Sequence, residues 1–143
     1  MSGGFSVADG IEASSGEARR PATILVVDDE ADILDLLAET LGADGHQVDT
    51  AANGLVALEH LDRRSYDLIL SDIQMPGLDG MALYRALEER HPAMVRRFIL
   101  ITGSALTAEA RRFVETTGVG ILHKPFDVQE IRRVGNSFSG ARR

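Results

Sequence analysis

Five side chains able to do chemistry stand at the same kind of place, the carboxyl end of an apolar run. Asp28 and Asp29 close Thr23-Ile24-Leu25-Val26-Val27, and Asp72 closes Asp67-Leu68-Ile69-Leu70-Ser71 shortly before Met75-Pro76-Gly77. Thr102 follows Phe98-Ile99-Leu100-Ile101, and Lys124 follows Val119 to His123. Three carboxylates gathered at one rim repel one another; two unit charges about 5 Å apart cost roughly 3 kcal/mol at an effective dielectric near 20. A divalent cation relieves that repulsion, and an all-oxygen donor set suits Mg²⁺, or a similar ion such as Mn²⁺, better than zinc. Mg²⁺ also takes phosphate oxygens as ligands, so the set points to phosphoryl chemistry. Asp72 is the best nucleophile, because a carboxylate of ordinary pKa is ionised at neutral pH and needs no general base. The cation and the Lys124 ammonium can offset the charge of an incoming phosphoryl group, and the Thr102 hydroxyl can hydrogen-bond a further oxygen.

The elements that must position these residues follow from the pattern. The runs before Asp28, Asp72 and Thr102 are rich in Val, Ile and Leu without alternation, which suits strands buried on both faces of a parallel sheet. Strands are expected at Thr23–Val27, His46–Thr50, Tyr66–Ser71, Phe98–Ile101 and Val119–His123. A first helix runs to about Ala43, with Leu34, Leu37, Ala38 and Leu41 on one face and Ile33 and Leu36 at its edge. Asn53-Gly54 opens a second helix with Leu55, Leu58 and Leu61 apolar, which stops near Arg63-Arg64. A third spans Leu78–Arg90 and ends at His91-Pro92. A fourth spans Thr107–Thr117, capped by Thr107 and ended by Gly118. Asp127 caps the last, whose stripe is Val128, Ile131, Val134 and Phe138, and Gly135-Asn136 shortens or frays it.

Alternating strands and helices imply an α/β sandwich, in which ligands bind beyond the carboxyl ends of the strands where the strand order reverses. Length and composition agree with one domain: 143 residues with 44% hydrophobic. The absence of Cys excludes disulfides and thiolate chemistry, and a formal charge of −7 argues against nucleic-acid partners. No apolar run suits a membrane span and no secretory signal opens the chain, so a cytoplasmic location is expected. Residues 1–21, rich in Gly and Ser, are expected to be a flexible tail or linker. The folded domain then covers 22–138, followed by a short tail, 139–143.

Val26-Val27-Asp28-Asp29-Glu30, Ser71-Asp72 with Met75-Pro76-Gly77, Ile101-Thr102 and Lys124-Pro125-Phe126, in this order, resemble the receiver domain of two-component response regulators. The resemblance covers about Ala22 to Phe138. It implies a flavodoxin-like, doubly wound five-stranded parallel sheet of order 2-1-3-4-5 with five helices. It further implies that Asp72 is the phosphoacceptor, that Asp29 ligates Mg²⁺ directly and Asp28 mainly through water, and that the backbone carbonyl of Gln74 completes the protein ligands. Lys124 would contact the phosphoryl group, Thr102 would move toward it, and the Lys124–Pro125 bond would be cis. A histidine kinase or histidine phosphotransfer protein would be the donor, and an unknown protein would receive the output. The resemblance implies a signalling module, not an enzyme beyond its own phosphorylation and slow dephosphorylation. One position departs from the pattern: Ile121 stands where many receivers carry Tyr or Phe.

Taken singly, each motif has a plainer reading. Asp28-Asp29-Glu30 suits a solvated helix start, Asp72 a loop cap and Lys124 a solvated cation; only their joint placement favours chemistry. Ile33 and Leu36, with Pro125, form an expected docking patch for the donor's histidine-bearing helices, against a plainer role as the edge of the core. His46, His60, His91 and His123 are expected to be solvated or packing residues. The pairs Arg96-Arg97, Arg111-Arg112 and Arg132-Arg133 read as solvated faces, the last two also as a homodimer or partner surface. Other assignments of the chain are the receiver piece of a hybrid kinase or a phosphate sink. A phosphatase with an aspartyl nucleophile is a rival, weakened because Gln74 stands where such enzymes place a second aspartate. A flavodoxin-like cofactor binder is weakened by the acidic loop after the first strand.

Overall fold

The computed structural model describes residues 21–138, so the expected terminal tails lie, apart from Pro21, outside the described residues. Five parallel strands form one sheet: β1 (Thr23–Val27), β2 (Gln47–Ala51), β3 (Leu68–Asp72), β4 (Phe98–Thr102) and β5 (Gly120–His123), in the order 2-1-3-4-5. Between and after them come α1 (Ala31–Ala43), α2 (Gly54–Arg63), α3 (Gly80–Arg90), α4 (Ala108–Thr117) and α5 (Val128–Ser137). The expected doubly wound fold and strand order are therefore observed. Each of the sheet's two faces is covered by helices, which is why β1, β3 and β4 read as unbroken apolar runs rather than alternating ones.

Side chains alternate between the two faces. Leu25, Val27, Ile69, Phe98, Leu100 and Ile121 pack under α2, α3 and α4, through Ala57, Leu61, Leu83, Tyr84, Leu87, Phe113 and Val114. Ile24, Val26, Leu68, Leu70, Ile99, Ile101 and Leu122 pack under α1 and α5, through Leu37, Leu41, Ile131 and Val134. The first layer holds its aromatic rings edge to face, with Tyr84 5.4 Å from Phe98 and 5.2 Å from Phe113 between centroids. Ile121 sits in this layer, only 4% exposed.

The starts of α2, α3, α4 and α5 are set by side chains. Asn53, Asp79 and Thr107 each accept a hydrogen bond from the backbone N–H three residues on, and Asp127 forms a reciprocal capping box with Glu130. Gly118 ends α4 in the left-handed region at φ 72°.

Four local expectations are corrected. Leu55 is 67% exposed and Val128 is 46% exposed, so neither belongs to the core stripe of its helix; Ala57 and Leu61 carry that of α2. Gly135-Asn136 does not end α5, which continues to Ser137. Gly135 is buried where α5 approaches α1, since a Cβ there would meet Leu41, and Asn136 Oδ1 lies 3.0 Å from His46 Nε2. The cost of a helical glycine is thus offset by close packing that the local sequence does not reveal. His46 is not in β2 but just before it; it is buried, and its Nδ1 accepts from the Ala22 N–H at 2.9 Å. Finally, His91-Pro92 ends α3 as expected, but a 3₁₀ segment (Pro92–Arg97) follows, and Arg97 donates to the Tyr66 carbonyl at 2.8 Å instead of facing solvent alone. Among the described residues, no helix is long and apolar enough to cross a membrane.

Candidate functional site

The strand order reverses between β1 and β3, so the loops after these strands diverge and leave a crevice. Register brings the strand ends to one rim: Val27 pairs with Ser71, Asp72 with Ile101 and Thr102 with His123. Asp28 and Asp29 leave β1 on one side of the crevice, Asp72 ends β3 on the other, and Thr102 and the residue after His123 extend the rim. Two backbone bonds tie the loops down, Ile73 N–H to the Ile101 carbonyl and Lys124 N–H to the Thr102 carbonyl, both at 2.8 Å.

Asp28, Asp29 and Asp72 each place a carboxylate oxygen within 4.8 Å of the others. Asp28 is fully buried and Asp72 nearly so, whereas Asp29 is exposed. Asp28 Oδ1 accepts from the Glu30 N–H at 2.9 Å. Asp28 Oδ2 is buried with no hydrogen-bond partner, although Lys124 Nζ stands 3.3 Å away as an ion pair. A buried carboxylate oxygen in that state is costly unless something further neutralises it. Together with the all-oxygen donor set, it fits a hard divalent cation of the Mg²⁺ or Mn²⁺ kind.

The electrostatics agree. Burial, then the Asp28 charge, pushes the Asp72 carboxyl up to about 6 against the pull of Lys124 and the Gln74 backbone N–H. The expectation of an ordinary carboxylate pKa is therefore corrected: Asp72 is mostly ionised at pH 7, but at a cost. Burial also raises Asp28, opposed by the Glu30 backbone N–H and Lys124. For Lys124 burial works against the ammonium, yet Glu30, Asp72 and Asp28 outweigh it and hold the group above its ordinary value.

Lys124 is the only lysine in the chain. Its Nζ lies 2.9 Å from Glu30 Oε1, 3.3 Å from Asp28 Oδ2 and 3.8 Å from Asp72 Oδ2. The Lys124–Pro125 bond is cis, as the resemblance implied. Thr102 is buried at the rim, but its hydroxyl donates to the Ser104 carbonyl at 3.0 Å, within its own loop. Ile33, Leu36 and Pro125 do come together: with Gly103, Lys124 and Phe126 they line one surface groove of about 360 Å³ beside the carboxylates. Gln74 is exposed two residues past Asp72 and is placed with the site through its backbone N–H.

The residue passed over in the sequence is Glu30. Beside two aspartates at a helix start it looks like a capping acid, yet its side chain caps nothing and pairs with Lys124. That Lys124 is the sole lysine was a signal available without the fold.

A family model described as the response regulator receiver domain matches residues 24–135. The DNA-binding transcriptional regulator NtrC of Escherichia coli K12 is 37% identical over 107 residues, covering 75% of this chain and 22% of NtrC. The sensor kinase CckA of Brucella abortus is 35% identical over 112 residues, covering 77% of this chain and 12% of CckA. This chain therefore spans less than a quarter of the length of either relative. Among solved structures, the Vibrio cholerae chemotaxis protein CheY4 matches with a TM-score of 0.70 at 29% identity, covering 77% of this chain and 92% of that one. The receiver domain of NtrX from Brucella abortus matches with a TM-score of 0.70 at 33% identity, covering 80% of this chain and 96% of that one.

Proposed function

Because the chain belongs to the response regulator receiver domain family, we propose that Asp72 takes a phosphoryl group from a phosphohistidine on a histidine kinase or histidine phosphotransfer protein. One Asp72 carboxylate oxygen attacks phosphorus; a P–O bond forms as the P–N bond breaks, and the electron pair leaves on the imidazole nitrogen. Water later attacks the same phosphorus, returning the carboxylate and releasing inorganic phosphate. Asp28, Asp29 and Asp72, with the Gln74 carbonyl, would hold a Mg²⁺ or Mn²⁺ ion, which when bound supplies positive charge to the carboxylates and the transferring oxygens. Lys124 offers its ammonium to another phosphoryl oxygen. Thr102 gives up the Ser104 carbonyl to donate to a third, and the loop that the old bond held is released. The single observation that carries this reading is the convergence of the three carboxylates and the one lysine at the crevice between β1 and β3.

The test is incubation with acetyl phosphate and Mg²⁺, followed by intact mass. Wild type is expected to gain one phosphoryl group; without Mg²⁺, or in Asp72→Asn, it gains none. A wild-type chain that never gains that mass overturns the proposal.

The groove lined by Ile33, Leu36 and Pro125 is the proposed seat for the donor's histidine-bearing helix, since it adjoins Lys124 and is mostly apolar. Leu36→Asp is expected to slow transfer from the donor protein about tenfold or more, the size of a central interface residue. Uptake from acetyl phosphate and thermal stability should stay near wild type, because Leu36 is only half-buried. Equal loss of both reactions would remove the docking role.

Output by protein contact is proposed for α4 and α5, where Arg111, Arg112 and Arg133 are exposed, with a homodimer as one form of it. Relatives that are sensor kinases support a second setting, in which this domain is the receiver of a longer hybrid kinase or an acceptor that drains phosphoryl groups.

A further inference from the structure

Glu30 occupies the N-cap position of α1, yet its side chain makes no capping hydrogen bond. It reaches across the crevice mouth, where Oε1 accepts from Lys124 Nζ at 2.9 Å. This is the shortest of the three carboxylate contacts of the ammonium, ahead of Asp28 and Asp72. The backbone beneath it is fixed: its N–H donates to Asp28 Oδ1 at 2.9 Å, and its carbonyl accepts from the N–H groups of Ile33 and Leu34. Only the side chain can swing, and at 63% exposure it has room to do so. The stem of Lys124 runs past Gly103, where even a Cβ would come within 3.4 Å of Lys124 Cδ. No other lysine exists to serve a phosphoryl oxygen if this one is occupied.

We infer that Glu30 is a positioning residue: its carboxylate keeps the Lys124 ammonium beyond hydrogen-bond distance of Asp72 in the resting site, 3.8 Å from Oδ2, and phosphoryl uptake requires the Glu30–Lys124 pair to open. The inference rests on the reading of Asp72 as phosphoacceptor. An ammonium has three N–H groups, and the best-aligned one is spent on Glu30. A phosphoryl group arriving at Asp72 brings new anionic oxygens that compete for it. An ion pair with an exposed carboxylate is weak, so opening it slows uptake by a factor of about two to five instead of blocking it. Glu30→Gln keeps the size and an acceptor oxygen but removes the charge that makes the pair competitive.

The experiment follows uptake from acetyl phosphate by intact mass at saturating Mg²⁺, in wild type, Glu30→Gln, Lys124→Ala and the double variant. Glu30→Gln is expected to take up the phosphoryl group about two- to fivefold faster than wild type. In the Lys124→Ala background the same substitution should change the rate little, because the two residues act as one unit. A second readout needs no phosphorylation. Selective ¹⁵N-lysine labelling gives a single side-chain ammonium signal in this chain, and its proton exchange with water should accelerate several-fold in Glu30→Gln. Unchanged or slower uptake, an equal gain without Lys124, or an unaltered ammonium signal would each overturn the inference. A wild-type chain that gains no phosphoryl group overturns the phosphoacceptor reading and this one together. Normal wild-type uptake with an indifferent Glu30→Gln overturns this one alone.

Discussion

Asp72→Asn should do two things at once: end phosphoryl uptake and, in metal-free buffer at pH 7, make the protein more stable than wild type. The first follows from losing the proposed nucleophile, since an amide oxygen of neutral Asn cannot take the place of the carboxylate. The second follows from where the carboxylate sits. Burial and the neighbouring Asp28 charge raise its folded pKa to about 6 from the ordinary 3.8. At pH 7 both the folded and unfolded chains are ionised there, so the folded state carries the whole cost of an unfavourable charge. That cost is about 3 kcal/mol, which corresponds to roughly 10 °C in melting temperature for a domain of this size.

The sign fixes the pH window. A raised carboxyl pKa means that the folded chain protonates first as the pH falls. The cost fades as the pH drops through about 6 and is gone below the unfolded value of 3.8. Wild type should therefore catch up with Asp72→Asn between pH 6 and pH 4, measured as the difference between their melting temperatures at each pH. Mg²⁺, held at the proposed carboxylate site of the folded wild type, should close the same gap at pH 7 by a different route, stabilisation by mass action. An Asn variant less stable than wild type at pH 7 without metal would contradict this account. So would a gap that ignores both acid and Mg²⁺.

Much of the site was readable in one dimension because it is built from strand ends. A parallel sheet puts every strand's carboxyl end at one rim, so Asp28, Asp72, Thr102 and Lys124 needed only their apolar runs to be placed together. What stayed hidden depends on contacts between elements. Glu30 had a sufficient local role as a helix-start acid, and only the fold brings Lys124, 94 residues away, within 2.9 Å. His46 looked like any histidine, yet it bridges the entry to β1 and the end of α5 through Ala22 and Asn136. Leu55 belongs to an apolar period that the packing does not use. The pKa of Asp72 was misjudged for the same reason: sequence shows a carboxylate at a strand end, not how completely its surroundings exclude water.

Gly80→Ala should be strongly damaging for so small a substitution, and for a reason no helix propensity would suggest. Alanine normally stabilises a helix over glycine by about 0.5–1 kcal/mol. Gly42, in α1, would follow that rule, since a Cβ there meets nothing within 4 Å. Gly80 opens α3 directly after its cap, Asp79, and its N–H donates to the Ile73 carbonyl at 3.1 Å. A Cβ on it would run into the carbonyl oxygen of Asp72, with Leu100 Cδ2 at 2.9 Å and Ile73 Cα at 3.0 Å. Two of these three are backbone atoms at the end of β3, and no rotamer moves them. The helix must back away from the sheet, which costs about 2–3 kcal/mol, at the upper end for overpacking. The backbone that yields is the one carrying Asp72, the proposed phosphoacceptor, and a 1 Å error at a reacting group can cost about a hundredfold in rate. Folded Gly80→Ala, confirmed by circular dichroism at low temperature, should therefore take up phosphoryl groups from acetyl phosphate at least tenfold more slowly, while Gly42→Ala matches wild-type uptake and melts slightly higher. If Gly80→Ala were as stable and as fast as Gly42→Ala, the close approach of α3 to β3 could not be what holds Asp72 in place.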